Sequence, residues 1–111
     1  PAARFENLIA IHLLKWVRFE QEVRGRDLEL RYVRNDRGEE IDFVIVENGK
    51  TPLRAIECKV SDENPSSFMR RFAEKFPKCE VFQITLSGVR DIQTAQGIRV
   101  CPAARVIGEL I

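Results

Sequence analysis

The sequence predicts an α/β domain with a central mixed β-sheet flanked by helices. Three observations predict it. Apolar residues recur at helical spacing over residues 4–23. Two β-branched runs then flank Asn48-Gly49, a strong hairpin signal because both residues tolerate positive φ. Helical and strand patterns alternate along the rest of the chain, which favours strands covered by helices.

The elements follow in order. Phe5, Leu8, Ile9, His12, Leu13 and Trp16 define the first helix, and Ile11, Leu14, Val17 and Phe19 add a second apolar flank. Glu6 and Asn7 lie near its start, where an acid complements the helix dipole. Gly25 is the expected residue just past its end. Residues 28–34 alternate as a strand, and Asn35-Asp36-Arg37-Gly38 reads as a turn. The hairpin 41–60 follows. A two-residue turn would set Glu47 against Lys50, Ile45 against Pro52 and Asp42 against Ala55. Asp42, Glu57 and Lys59 then share one face with Val44, Val46, Leu53 and Ala55. Ile41, Phe43, Ile45, Ile56, Cys58 and Val60 share the other.

Asn64-Pro65 suggests an N-cap and first-turn proline for a helix running to about Phe76. Phe68, Phe72 and Phe76 form a stripe expected in the core. Arg70, Arg71, Lys75 and Lys78 give that helix a basic side, read mainly as a solvated face. Residues 81–86 read as a strand with Gln83 and Thr85 on one side, Phe82 and Ile84 on the other. A short strand at 98–101 precedes a terminal helix opened by Pro102 and running from Ala103 to Leu110.

The chain of 111 residues reads as one domain, residues 1–111. Its 18 basic and 17 acidic residues leave a net charge of +1, so bulk charge does not announce a nucleic-acid partner. The basic residues are mostly arginine, the better phosphate clamp. Cys58, Cys79 and Cys101 are scattered singly, which argues against a disulfide framework or zinc site and fits a reducing cytoplasm. No apolar run approaches transmembrane length. The start at Pro1, almost directly in a helix, suggests a domain cut from a longer protein.

Asp42 and Glu57 on one face repel unless something offsets their charge. Lys59 offsets part, and a divalent cation offsets more, since carboxylate oxygens suit Mg²⁺ or Mn²⁺. An acid, an Asp and a Glu-x-Lys are the layout of a metal-dependent phosphodiesterase site. The carboxylates hold the cation, and the lysine orients water or neutralises phosphorane charge.

Glu6, Ile41-Asp42 and Glu57-Cys58-Lys59, with the helix and strand that follow, resemble the PD-(D/E)XK nuclease superfamily. The resemblance implies a restriction-endonuclease-like mixed sheet. It implies metal binding by Asp42, Glu57 and Glu6, and a role for Lys59 at the attacking water. Gln83 falls where some members carry a further polar site residue. Ile41 stands where many members have proline. Phe5-Glu6-Asn7, Glu40-Ile41-Asp42-Phe43, residues 55–59 and residues 99–103 look like the nuclease-like domain at the C-terminus of many prokaryotic AAA-type ATPases. That implies an N-terminal ATPase domain in the same chain. No phosphate-loop motif occurs in these residues.

The leading expectation is a Mg²⁺-dependent nuclease acting on DNA. A second is a non-cleaving nuclease-fold module that binds nucleic acid or protein, or regulates its ATPase. A third is a structural hairpin in which Asp42 bridges to Lys59. Oligomeric state stays open.

Overall fold

The computed structural model describes residues 2–108. Its elements are α1 (Ala2–Arg24), β1 (Leu28–Arg34), β2 (Glu40–Glu47), β3 (Thr51–Lys59), α2 (Ser67–Lys75), β4 (Glu80–Thr85), β5 (Ile92–Gln93), β6 (Ile98–Pro102) and α3 (Ala103–Val106). The six strands form one mixed sheet in the order β1-β2-β3-β4-β6-β5. β1, β2 and β3 pair antiparallel; β3, β4 and β6 pair parallel; β5 runs antiparallel to β6. The expected α/β class with a mixed sheet flanked by helices is therefore what the chain forms.

Helical spacing places Phe5, Ile9, Leu13 and Val17 on one stripe of α1, and all four are buried. They pack with Ile45, Ile56, Phe82 and Ile84 of the sheet and Val106 of α3. On the opposite face Met69 and Ala73 of α2 cover Val44, Val46, Ala55, Val81, Ile98 and Val100. The central strands are thus apolar on both sides, as sheets sandwiched between helices must be. Each fully buried aliphatic side chain contributes about 1.5–3 kcal/mol.

Three details differ from the sequence reading. The hairpin turn holds three residues, because Glu47 pairs with Thr51, and Asn48 and Gly49 take φ of 55° and 70°. A register shift after Val46↔Pro52 leaves Ile45 opposite Arg54 and Val44 opposite Ala55. The pairing expected from a two-residue turn is therefore displaced by two residues beyond the shift. An even displacement keeps residues on their faces, so Asp42, Val44, Ala55 and Glu57 still group together. Leu53 lies at the irregularity and packs with the α1 cluster instead.

The second difference lies in α2. Its cap is Ser66, whose hydroxyl accepts from the Met69 N–H at 3.1 Å, not Asn64. Met69 and Ala73 take the core, while Phe68, Phe72 and Phe76 are half-buried on its margin. The third is β5, which the sequence did not reveal: two residues are too short for a periodic signal. The last helix ends at Val106 with Ile107 as its cap, and residues 109–110 of the expected helix lie outside the described residues.

At its far end α1 carries a buried acid, Glu20, 3% exposed. It pairs with Arg24 at 3.1 Å and Arg26 at 2.9 Å, and Arg26 also pairs with Glu47 at 2.9 Å. Arg26 and Arg54 lie over the Trp16 ring at 5.8 and 4.8 Å. These contacts fasten the helix to the hairpin end of the sheet. Gly25, φ 64°, turns the chain back as expected.

Met69→Ala should destabilise the protein by about 2–5 kcal/mol, since it empties a site only 1% exposed. Phe68→Ala should cost clearly less. Urea melts of both variants check this; equal losses would return the phenylalanine stripe to the core.

Candidate metal centre at the carboxyl ends of the parallel strands

β1 advances two residues from Arg31 to Val33 while β2 advances three, from Val44 back to Ile41. The extra residue falls across Asp42 and Phe43, so β2 bulges there. Such a bulge re-aims side chains and is common beside functional sites. It explains why Ile41 joins Val44 in the α2-side cluster, contrary to strict alternation. The β2–β3 ladder ends at Phe43↔Ile56, and the next step sets Asp42 opposite Glu57.

There side chains replace backbone pairing. The Asp42 N–H donates to Glu57 Oε1 at 3.0 Å, and the Cys58 N–H donates to Asp42 Oδ2 at 2.8 Å. Each carboxylate thus satisfies an N–H of the opposite strand. Both residues are buried, at 8% and 9% exposure. Lys59 Nζ lies 3.5 Å from Glu57 Oε2. The lysine's ionic partner is therefore Glu57, and the alternative of an Asp42–Lys59 bridge is not what forms.

Glu6 reaches this pair from the first turns of α1. Its carboxyl is pushed above the usual range by burial and by the charge and hydrogen bonding of Asp42. Burial likewise pushes Glu57 up to about 7, helped by Asp42's hydrogen bond and charge and opposed by Lys59. Asp42's charge adds to burial in raising both Glu6 and Glu57, which places the three carboxyls within reach of one another. The Cys58 thiol between them is raised by burial and then by Asp42's charge, so it is no thiolate nucleophile.

β4 completes the site. Register pairs Glu57 with Gln83 and Lys59 with Thr85, so their side chains share a face. Gln83 has no exposure, and its Nε2 donates to the Glu63 carbonyl at 2.8 Å, tying down the β3–α2 loop. Asp62 in that loop accepts the Val89 and Arg90 N–H groups at 3.1 and 3.3 Å. A cavity of about 230 Å³ opens beside the site, lined by Phe5, Glu6, Cys58, Lys59, Val60 and Glu63.

All five residues singled out from the sequence, Glu6, Asp42, Glu57, Lys59 and Gln83, meet at this end of the sheet. Thr85 was paired with Gln83 by alternation but not given a role. The donor set, hard carboxylate oxygens around a lysine, fits Mg²⁺ or Mn²⁺. Among the described residues no three His, Cys, Asp or Glu stand together at ligand distance for a metal ion. One oxygen each of Asp42 and Glu57 faces a backbone N–H instead.

Fold and site together define an open mixed-sheet α/β protein with an acidic cluster at the carboxyl ends of its parallel strands, where such sheets place ligands. The chain belongs to the family described as Domain of unknown function (DUF4143), whose model matches residues 2–106. Neither the curated proteins nor the solved structures yield a match. No helix among the described residues is long and apolar enough to cross a membrane.

A carboxyl that binds its proton more tightly folded than unfolded stabilises most below its unfolded value, near 4.5, and loses this as pH rises through about 7. The metal-free protein should therefore lose at most about 3 kcal/mol from this group between pH 4.5 and 8. Glu57→Gln removes the loss and keeps an oxygen for the Asp42 N–H. Its melting temperature should exceed the parent's at pH 8 and match it near pH 4.5. An offset equal at both pH values would contradict the assignment.

Proposed function

We propose that the chain is a divalent-cation-dependent phosphodiesterase of the nuclease type, acting on DNA. One observation carries this: Asp42 and Glu57 meet in a buried bulge, Glu6 joins them, and Lys59 stands beside them. Crowding three acids costs electrostatic repulsion, since like charges disfavour one another there. The arrangement is useful where a positive charge is to be held. Bound, the cation polarises a phosphate and makes its water more acidic. Asp42, Glu57 and Glu6 would hold Mg²⁺ or Mn²⁺. Lys59 orients the water or neutralises charge on the phosphorane oxygens. Gln83 fixes the loop at Glu63 that borders the cavity.

Two further parts of the proposal, an N-terminal ATPase as partner and DNA rather than another phosphodiester, rest on the resemblance of the motifs to the ATPase-linked nuclease-like domain. A cytoplasmic location rests on the singly scattered cysteines.

The second reading, a non-cleaving module, is favoured by the engagement of Asp42 and Glu57 with backbone N–H groups. Cleavage of plasmid and oligonucleotides with Mg²⁺ or Mn²⁺ separates the two. Asp42→Asn should weaken Mn²⁺ binding markedly in calorimetry and leave metal-free stability equal or higher. Lys59→Ala should bind Mn²⁺ as the parent does and lose cleavage. A loss of about 3–5 kcal/mol in Asp42→Asn, with no Mn²⁺ binding by the parent, would mark a purely structural cluster.

A further inference from the structure

Among the described residues, the buried side-chain oxygens without a hydrogen-bond partner are Gln83 Oε1 and Thr85 Oγ1. Both residues have no exposure, and both lie on β4 facing the candidate site. A buried hydroxyl without a partner is costly, so one that persists calls for a reason. Gly88 closes over it. A Cβ at Gly88 would come within 2.4 Å of Thr85 Oγ1 and 2.3 Å of Asp62 Oδ1. The loop therefore shuts the hydroxyl from solvent while leaving its lone pairs unused.

The register partner of Thr85 is Lys59. An ammonium offers three donors, and that of Lys59 has one ionic partner, Glu57 Oε2, at 3.5 Å. This is long for a charge-assisted bond, which closes to roughly 2.7–2.9 Å. An ammonium with one long ionic contact and a side chain 32% exposed thus stands across one ladder step from an acceptor with nothing to hold. Any event that engages the Glu57 carboxylate elsewhere leaves the ammonium without its counter-charge.

We propose that Thr85 is a positioning residue that receives the Lys59 ammonium when Glu57 Oε2 takes another partner, while Oε1 stays on the Asp42 N–H, and so keeps Lys59 over the reacting phosphate. Lys59 then has two seats, Glu57 at rest and Thr85 when Glu57 is engaged. No bond is made or broken; one hydrogen bond replaces an ion pair. The catalytic part rests on the phosphodiesterase reading, but the exchange of partners does not.

The test is a thermal double-mutant cycle on the metal-free protein, with kinetics beside it. Thr85→Val keeps the shape and removes the hydroxyl. In the parent it should leave the melting temperature unchanged or raise it, since an unpartnered group is lost. In Glu57→Gln, where Lys59 has lost its anion, the same change should lower the melting temperature. Thr85→Ser should behave as threonine in both backgrounds. Equal effects of Thr85→Val in the two backgrounds would overturn the exchange, whether or not the protein cleaves DNA. With Mg²⁺ and a DNA oligonucleotide, Thr85→Val should lower kcat by up to about tenfold, the worth of one positioning hydrogen bond. KM and Mn²⁺ affinity should hold, and Thr85→Ser should restore the rate. An unchanged kcat in a cleaving parent would overturn the positioning role. A parent that does not cleave overturns the catalytic part together with the phosphodiesterase reading, and the cycle still decides the exchange.

Discussion

Asp42 and Glu57 hold each other in place by reaching across to each other's strand. Each carboxylate accepts a backbone N–H that the ladder has given up, and this crossed pair ends β2–β3 pairing. An N–H with a charged acceptor is well satisfied, worth about 1.5–3 kcal/mol where a neutral one gives less. The exchange fixes both carboxylates to the backbone, so neither can swing away from the other. The bulge in β2 makes it workable by bringing Asp42 to where Glu57 already points.

The rest of the fold serves this junction. α1 packs one sheet face through Phe5, Ile9, Leu13 and Val17, and that packing fixes where Glu6 arrives. The salt bridges of Glu20 and Arg26 hold the other end of the same helix, far along from Glu6. α2 and its loop close the opposite face, anchored through Gln83 to Glu63 and through Asp62 to the β4–β5 loop. The cost of the acids is local. Glu6 and Glu57 take up protons more readily than free carboxyls, and Lys59 relieves only part of the repulsion.

Much of this was legible in the residues. Period-two alternation put Asp42, Glu57 and Lys59 on one face, and that grouping survived a register wrong by two residues because the error was even. The place of Glu6 near the start of a helix suggested only a partner for the helix dipole; its link to the site came from the resemblance to the nuclease superfamily. The irregular features were hidden. A third turn residue, a bulge at Asp42 and the shift at Leu53 leave no mark in composition. The phenylalanine stripe misled because its spacing is perfect, yet Met69 and Ala73 on the neighbouring stripe reach the sheet. Glu20 was not singled out, since Arg26, which pairs with both it and Glu47, meets it only after folding. Thr85 looked like a strand residue because nothing in a sequence shows an unpartnered hydroxyl.

The central claim is the proposal that the carboxyls of Glu6 and Glu57, which bind protons more readily than free ones, exchange a proton for a divalent cation. Calorimetric titration with Mn²⁺ at pH 6, run in two buffers of different ionisation enthalpy, measures it directly. The heat difference counts the protons that leave as the cation binds. The account predicts saturable binding at millimolar Mn²⁺ or below, with release of a substantial fraction of a proton that is lost in Glu57→Gln. No binding, or binding with no proton release in the parent, would contradict it.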